Sequence, residues 1–539
     1  MVKTLQPRTW RWALTVVVLL ASCVFLFARL GHYALWYDEA LTALGALGVW
    51  RTGDTTAMVG SNIVAYRGGI MMSGGKERGT PPLPFYLTAP FVGVFGQQAW
   101  AARLPFALLG LATVAWVLWW LWRDTCDPAF WMLMGLGLIT NVSFFLYCQQ
   151  SRYYAPAIFA TLGVAYLYLH WDGIRWKLWM ISALSVALLA SNYMEYVALY
   201  VCLAVDYLFW GRKRLRLTAS DWLHLLGPQV VLGALIVSVW NPLNTQFSEN
   251  VVGNTLAERA RLVWWTLRDI NTCEFGVGAL VVAAPLLWFR ERSSWLLRAP
   301  LALLVYVVVA SAVSPQPVRE AEAADVRYVC PVILLCIATG VLALAVVWRW
   351  RWWVAVPLAL VAFASNLLNV AWLTTVAPQP PRSTLAARIH ELLDPPPEPF
   401  SAAAGWINQH IPAGTSVWVL PHFMAYPLVF HAPHPLYAWQ LRWPPEEQFQ
   451  GMPLIHFQGM LPPDYIIVFG PMGLAQLKQA PMRYKGRVHY EREATIDCYW
   501  FPGYRPEVYG RHFRPRTNYD RQVEVIQVLR RTQPETLAP

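Results

Sequence analysis

The residues of this 539-residue chain that first suggest chemistry are Asp38 and Glu39, in the stretch Leu35-Trp36-Tyr37-Asp38-Glu39-Ala40-Leu41-Thr42. They follow a long apolar run, Trp12–Leu30, and their flanks are aromatic or aliphatic. A carboxylate walled by apolar groups where a membrane helix meets water is costly unless it has a task or a partner. Neighbours on a helix point about 100° apart, so the two cannot share one job. One can face a cavity while the other caps a helix or holds a nearby arginine. Taken alone, the pair also reads as an ordinary acidic end to a signal anchor.

A second set of residues changes that balance. Arg152-Tyr153-Tyr154 and Arg327-Tyr328 stand at the mouths of apolar runs, and Lys76 and Arg78 lie in the long connection after Glu39. Arginine suits bidentate recognition of phosphate, and a tyrosine adds an oriented hydroxyl. The plain alternative is a basic side chain snorkelling to the interface. Carboxylates and phosphate-binding groups on one membrane face are what transfer from a phosphate leaving group requires: a base for the acceptor and cations for the charge that develops on the phosphate.

The elements that must position these residues are membrane helices. The chain is 57% hydrophobic and 14% charged, against roughly 25% charged in soluble domains. Thirty Trp and twenty-four Tyr fit aromatic belts at two bilayer surfaces. The net charge of +11 is read first as loop Lys and Arg obeying the positive-inside rule. No nucleic-acid signature accompanies it. The eight cysteines form no CxxC pair, so neither a disulfide framework nor a structural zinc site is indicated. Lys3, Arg8 and Arg11 before the first apolar run suit a retained signal anchor.

At about 20 apolar residues per span, the sequence predicts about eleven spans between Trp12 and Thr375. The run Leu83–Phe95 is too short to cross upright and reads as an interfacial helix. Basic clusters at Arg123, Arg175 and Lys177, Arg212–Arg216, Arg290–Arg298 and Arg349–Arg351 mark alternate connections as cytoplasmic. The N-terminus is then inside, and Asp38 and everything after about 378 are outside. Residues 1–377 read as a transmembrane domain with a first outer loop over 31–99. In that loop, Glu39–Trp50 reads as an amphipathic surface helix and the glycine-rich Gly53–Gly79 as a flexible stretch. Proline clusters after Pro378 mark a linker. Beyond it, residues 378–539 read as a small extracytoplasmic α/β domain, with a helix capped by Ser401 and buried strands at Thr415–Leu420 and Asp464–Gly470. Further strands are expected at Arg487–Arg492 and Thr495–Phe501. His431-x-x-His434 has metal-ligand spacing, but its surrounding prolines and lack of a third ligand make it a loop.

The order of motifs carries a resemblance: WYDEALTA, a PPL-initiated short helix ending in FG, ARLPFALLGLATV, QQSRYYAP, RYVCP, then a C-terminal domain. Over roughly Trp12–Pro331 the chain resembles the bacterial GT-C glycosyltransferases related to protein O-mannosyltransferases and aminoarabinose transferases. That resemblance implies a polytopic α-helical GT-C fold in the bacterial cytoplasmic membrane. It also implies transfer of a sugar from a polyprenyl-phosphate donor on the outer face, with inversion, to a glycan, lipid or protein acceptor. Asp38 falls on the family's catalytic acidic position, with Glu39 as its neighbour. Arg152 and Tyr154 fall on its S-x-E-A-R-x-Y motif, and Arg327 and Tyr328 on its RY motif; Lys76 and Arg78 are further candidates for the donor phosphate. Three positions depart from the pattern. Gln150 replaces the motif's glutamate, Thr80 the histidine before Pro-Pro, and Asn192 the histidine ending the fifth span. With Glu195, these three make up the expected polar lining of the cavity. Gln150 also removes one ligand for a divalent cation, which stays possible but not required. The contending classes are a lipid-linked glycan flippase or transporter, and a pyrophosphate-lipid-dependent glycan polymerase or ligase. Charges deep in several spans would favour the transporter.

Overall fold

The computed structural model describes residues 7–69, 72–212, 215, 217–242, 254–273, 277–316, 318, 324, 326–365, 367–368, 383–395, 398–479, 488–499 and 523–532. The bundle opens with α1 (Pro7–Phe27), then α2 (Tyr37–Thr52), α3 (Leu83–Phe95), α4 (Ala99–Asp124), α5 (Pro128–Thr140) and α6 (Val142–Gln149). It continues through α7 (Tyr154–Leu169), α8 (Arg175–Ser191), α9 (Tyr193–Asp206), α10 (Ala219–Val239) and α11 (Leu256–Cys273). The last helices of this part are α12 (Val277–Glu291), α13 (Trp295–Ala312), α14 (Val332–Trp350) and α15 (Trp352–Ala364). One apolar core joins most of them, with Phe106, Trp131, Phe144, Tyr154, Tyr306 and Ile337 among its fully buried side chains; the buried apolar residues of α2 and α3 belong to a second core.

Six described helices are long and apolar enough to cross a membrane, or seven if the bent pair α5–α6 is one span. That is fewer than the eleven expected. The difference lies in stretches whose apolar runs fold as helices of 13 to 17 residues, among them α7, α8 and α15. At 1.5 Å per residue, such helices reach only about 20–26 Å. The expected span Pro128–Tyr147 is bent by 57° between α5 and α6. The bend sits at Asn141, whose Oδ1 accepts the Phe144 N–H at 2.8 Å and so starts a new helix. The connection expected over Asn241–Glu274 contains the 18-residue α11. The end of the expected span at Thr375 and the linker from Pro378 lie outside the described residues.

The segment between α1 and α4 departs most from its sequence reading. Helix α2 is not an amphipathic surface helix: every residue from Asp38 to Val49 is buried. It crosses α3 at two glycines. A Cβ on Gly45 would meet the Phe85 ring at 2.6 Å, and one on Gly93 would collide with Trp50. Nor is Gly53–Gly79 a loose loop. It folds into two hairpins, β1 (Met58–Val59) with β2 (Asn62–Ile63) and β3 (Met72–Ser73) with β4 (Lys76–Glu77). Ala57, Ile63, Ala65 and Met72 then bury themselves against Leu441, Phe449 and Phe457. The glycines permit the tight turns, but the apolar residues between them fix the fold.

After α16 (Thr384–Leu393) and α17 (Pro399–His410) come β5 (Ser416–Leu420), α18 (Ala425–His431), β6 (Leu436–Tyr437), β7 (Tyr465–Phe469), α19 (Gly470–Gln479), β8 (Tyr490–Tyr499) and β9 (Val523–Arg531). The sheet order is β6-β5-β7-β9-β8. The first three strands are parallel, and β9 pairs antiparallel with both β7 and β8. The strands expected at Arg487–Arg492 and Thr495–Phe501 are a single strand, β8, with an irregularity between Arg492 and Ala494. The cap of α17 is Glu398 rather than Ser401; its carboxylate accepts the N–H groups of both Phe400 and Ser401 at 2.8 Å. Helix α18 packs directly on α2, so the sheet layer and the Asp38 helix share one apolar core.

Candidate active site

Glu39 is fully buried, and Arg103 from α4 grips it with two bonds, Nη2–Oε2 at 2.5 Å and Nε–Oε1 at 2.8 Å. The rest of the guanidinium donates to the carbonyls of Leu30, Tyr33 and Ala34 at 2.9–3.0 Å. Oε1 also accepts the Ser151 N–H at 2.9 Å. One arginine and one glutamate thus hold together the end of the turn after α1, the start of α2 and the turn before α7. Every donor is spent on a fixed acceptor, which is what a buried ion pair needs to offset its desolvation.

Asp38 turns the other way. Its Oδ2 meets Arg327 Nη1 at 2.9 Å and Arg152 Nη2 at 3.5 Å. Arg152 Nη1 donates to the Asp38 carbonyl at 3.3 Å and to Thr42 Oγ1 at 3.2 Å. The three charged side chains are each 12–14% exposed, open enough to be reached and too buried to be screened fully by water. Arg152 and Arg327 come from chain segments far apart in sequence. Tyr153 joins them, donating its hydroxyl to the Arg327 carbonyl at 3.1 Å. Trp36 adds a ring face to the Arg327 guanidinium, 5.8 Å from its centroid.

The other sequence candidates fall in several places. Tyr328 lies under the Arg327 guanidinium at 5.3 Å. Tyr154 is fully buried, its ring edge-on to Tyr147 and Tyr153. Lys76 and Arg78 converge on Asp54, at 2.6 and 2.8 Å, rather than on Asp38. Arg78, followed by Lys76, holds the Asp54 carboxyl well below its ordinary range. Asn192 caps α9, accepting from Met194 N at 2.9 Å. Glu195 is buried within the bundle, bonded to the Tyr306 hydroxyl at 2.5 Å and 3.8 Å from Cys330 Sγ, and so sits beneath the Arg327 turn. Thr80 Oγ1 and both amide atoms of Gln150 are buried without a hydrogen-bond partner. Gln150 lines a cavity with Tyr33, Arg103, Gln149, Arg388 and Glu391. Among the described residues, no group of three or more His, Cys, Asp or Glu side chains converges as a metal site.

Two residues that position the site were not given that role from sequence. Arg103 is one; its signal was a basic residue on the side where positive-inside predicts few. His431 is the other; expected in a loop, it ends helix α18 instead. Its Nε2 accepts the Leu35 N–H at 3.0 Å, fixing the chain three residues before Asp38. Burial, with a smaller push from Arg103, lowers the His431 imidazole to about 4, so it remains an acceptor at neutral pH. An unfolded chain protonates this group near 6.5, so the contribution to stability is complete above that value and fades as pH falls towards 4. From pH 7.5 to 5 the loss is about 2 kcal/mol. Glu77, whose carboxyl is raised to about 7, acts in the opposite sense, so the informative comparison is between variants. In thermal melts, His431→Gln, which keeps an acceptor, should lose less stability than the parent on going from pH 7.5 to 5.

Residues 79–240 match the family described as dolichyl-phosphate-mannose-protein mannosyltransferase. No curated protein matches the chain. Among solved structures, the fold is similar to ArnT from Cupriavidus metallidurans bound to undecaprenyl phosphate, with a TM-score of 0.55 and 16% identity over 96% of this chain and 98% of that one. The apo state of the same protein gives 0.57 and 16% over 96% and 97%. The chain therefore has the GT-C fold of the ArnT structures, and its residues 79–240 match the protein-mannosyltransferase family model.

Proposed function

We propose that the protein is a glycosyltransferase that moves a sugar from a polyprenyl-phosphate donor to an acceptor on the outer face of the bacterial cytoplasmic membrane. The observation that carries this reading is the Asp38 carboxylate held between Arg152 and Arg327. The likeness in fold to a protein solved with undecaprenyl phosphate supports it. The two guanidiniums are the anion site. A donor phosphate competes with Asp38 for the same donors, and in taking them it frees the carboxylate beside the reacting carbon. The acceptor oxygen then attacks the anomeric carbon as its proton passes to Asp38. The bond from that carbon to the phosphate oxygen breaks, its electron pair stays on that oxygen, and the two arginines hold the charge of the departing lipid monophosphate. One displacement inverts the configuration. The acceptor is a glycan, lipid or protein hydroxyl, and no step is routed through a metal.

A thermal-shift series on the purified chain tests the phosphate site. Undecaprenyl phosphate at 100 times its dissociation constant should stabilise the protein by about 2.7 kcal/mol. The shift should shrink in Arg152→Ala and in Arg327→Ala. A larger shift with undecaprenyl pyrophosphate would favour a polymerase or ligase instead.

A further inference from the structure

Glu77 ends the second hairpin, and its side chain is 3% exposed. Its Oε1 accepts the Gly79 N–H at 2.7 Å, while Oε2 is buried with no hydrogen-bond partner. A buried carboxylate oxygen without a donor is an expensive arrangement. It is also not the only one here: Thr80 Oγ1, three residues on, and Arg152 Nε are buried and unpartnered too. Arg152 acts on both carboxyls, contacting Asp38 directly and attracting the Glu77 charge through space. An acceptor atom and a guanidinium N–H thus remain unused on two residues whose charges act on each other, Glu77 and Arg152, and Glu77 and Thr80 precede the N-terminus of α3, where a negative charge is favoured.

We propose that Glu77 is a second carboxyl of this site, which takes up a proton as the lipid donor binds and donates a hydrogen bond from Oε2 to its phosphodiester. The proposal rests on the reading of Arg152 and Arg327 as the phosphate site. The orphaned Oε2 becomes a donor only when it carries a proton, and a phosphate oxygen is the acceptor it lacks. An ionised Glu77 would repel the same phosphate. Burial pushes the Glu77 carboxyl up to about 7, against the opposing pull of the Gly79 N–H, of Arg152 and Arg78, and more weakly of the Thr80 N–H. The charged groups facing it are Arg78 on its own hairpin and Arg152 from the turn before α7. Asp54 is bonded to Arg78 and Asp38 to Arg152, one behind each cation. Donor binding therefore takes up a proton, and its affinity follows the protonated fraction of Glu77.

The test is the affinity of the full-length protein for farnesyl methyl phosphodiester, which carries one negative charge across the neutral range. Binding to the parent should weaken about tenfold from pH 6 to pH 8. Glu77→Gln keeps an oxygen for Gly79 and puts an N–H donor at the other position. Its affinity should match the parent at pH 6 and stay flat to pH 8, and a thermal melt of each variant confirms folding. Equal slopes in parent and variant, or a flat parent, overturn the role of Glu77 and leave the arginine site standing. No binding at any pH overturns the arginine site and this role with it.

Discussion

Asp38→Asn should lower the rate of sugar transfer by about 10²–10⁴-fold, the range that a positioned general base contributes. The change keeps the shape of the side chain and leaves Glu39, Arg103 and the helix start untouched. It removes the Asp38 charge, which competes with the donor phosphate for Arg152 and Arg327, at 3.5 and 2.9 Å. Affinity for undecaprenyl phosphate should accordingly hold or improve. Single-turnover transfer and lipid binding measured on the same preparation separate the two effects. Full transfer activity in Asp38→Asn would remove Asp38 from the chemistry. Transfer and binding lost together would make it a group that positions the arginines.

The largest effect on folding should come from Arg103→Met. The substitution strands the Glu39 carboxylate at zero exposure and leaves the carbonyls of Leu30, Tyr33 and Ala34 without their donor. Breaking a buried pair from one side costs about 3–5 kcal/mol, and an apparent melting point in detergent should fall accordingly. Glu39→Met alone should be harmful for the mirror reason. The double variant, apolar on both sides, should recover a good part of the loss, since no charge is then buried alone. If the double variant is no better than the worse single one, the pair does more than neutralise itself: its bonds to the main chain are what the turn cannot lose.

The sequence showed the helical membrane part and the site's charged residues more clearly than it showed their environment. Apolar runs announce helices because each needs only its own composition. Trp12–Leu30 and Tyr328–Val347 were visible for that reason, and the structure has α1 and α14 there. Asp38 and Glu39 could be assigned to different directions from helix geometry alone, and they do point to different arginines. The identity of those arginines was less accessible, because Arg103, Arg152 and Arg327 are brought together only by the fold. Helix α2 was misjudged for a related reason. Leu41, Leu44 and Leu47 mark an apolar face, but the rest of the helix is mostly small or apolar and is buried as well, with Gly45 against the Phe85 ring of α3. The hairpins of 58–77 escaped because strands of two residues carry no alternation to read. The break at Asn141 was hidden inside an otherwise continuous apolar run.

Asn62 lies in the first hairpin and donates to the carbonyls of Pro433 and Pro435 at 3.2 and 2.9 Å, while its own oxygen accepts from Tyr437 N at 2.7 Å. Just before α2, Ala34 N–H donates to Glu398 at 3.0 Å, as Leu35 does to His431. The turn that carries Asp38 is therefore built jointly by two stretches of polypeptide far apart in sequence. A swap of C-terminal regions between related proteins, with its junction placed at the proline-rich stretch after 378, would sever these bonds. A chimaera that keeps its activity would have to exchange residues 53–79 together with the C-terminal sheet, as one cassette in two pieces.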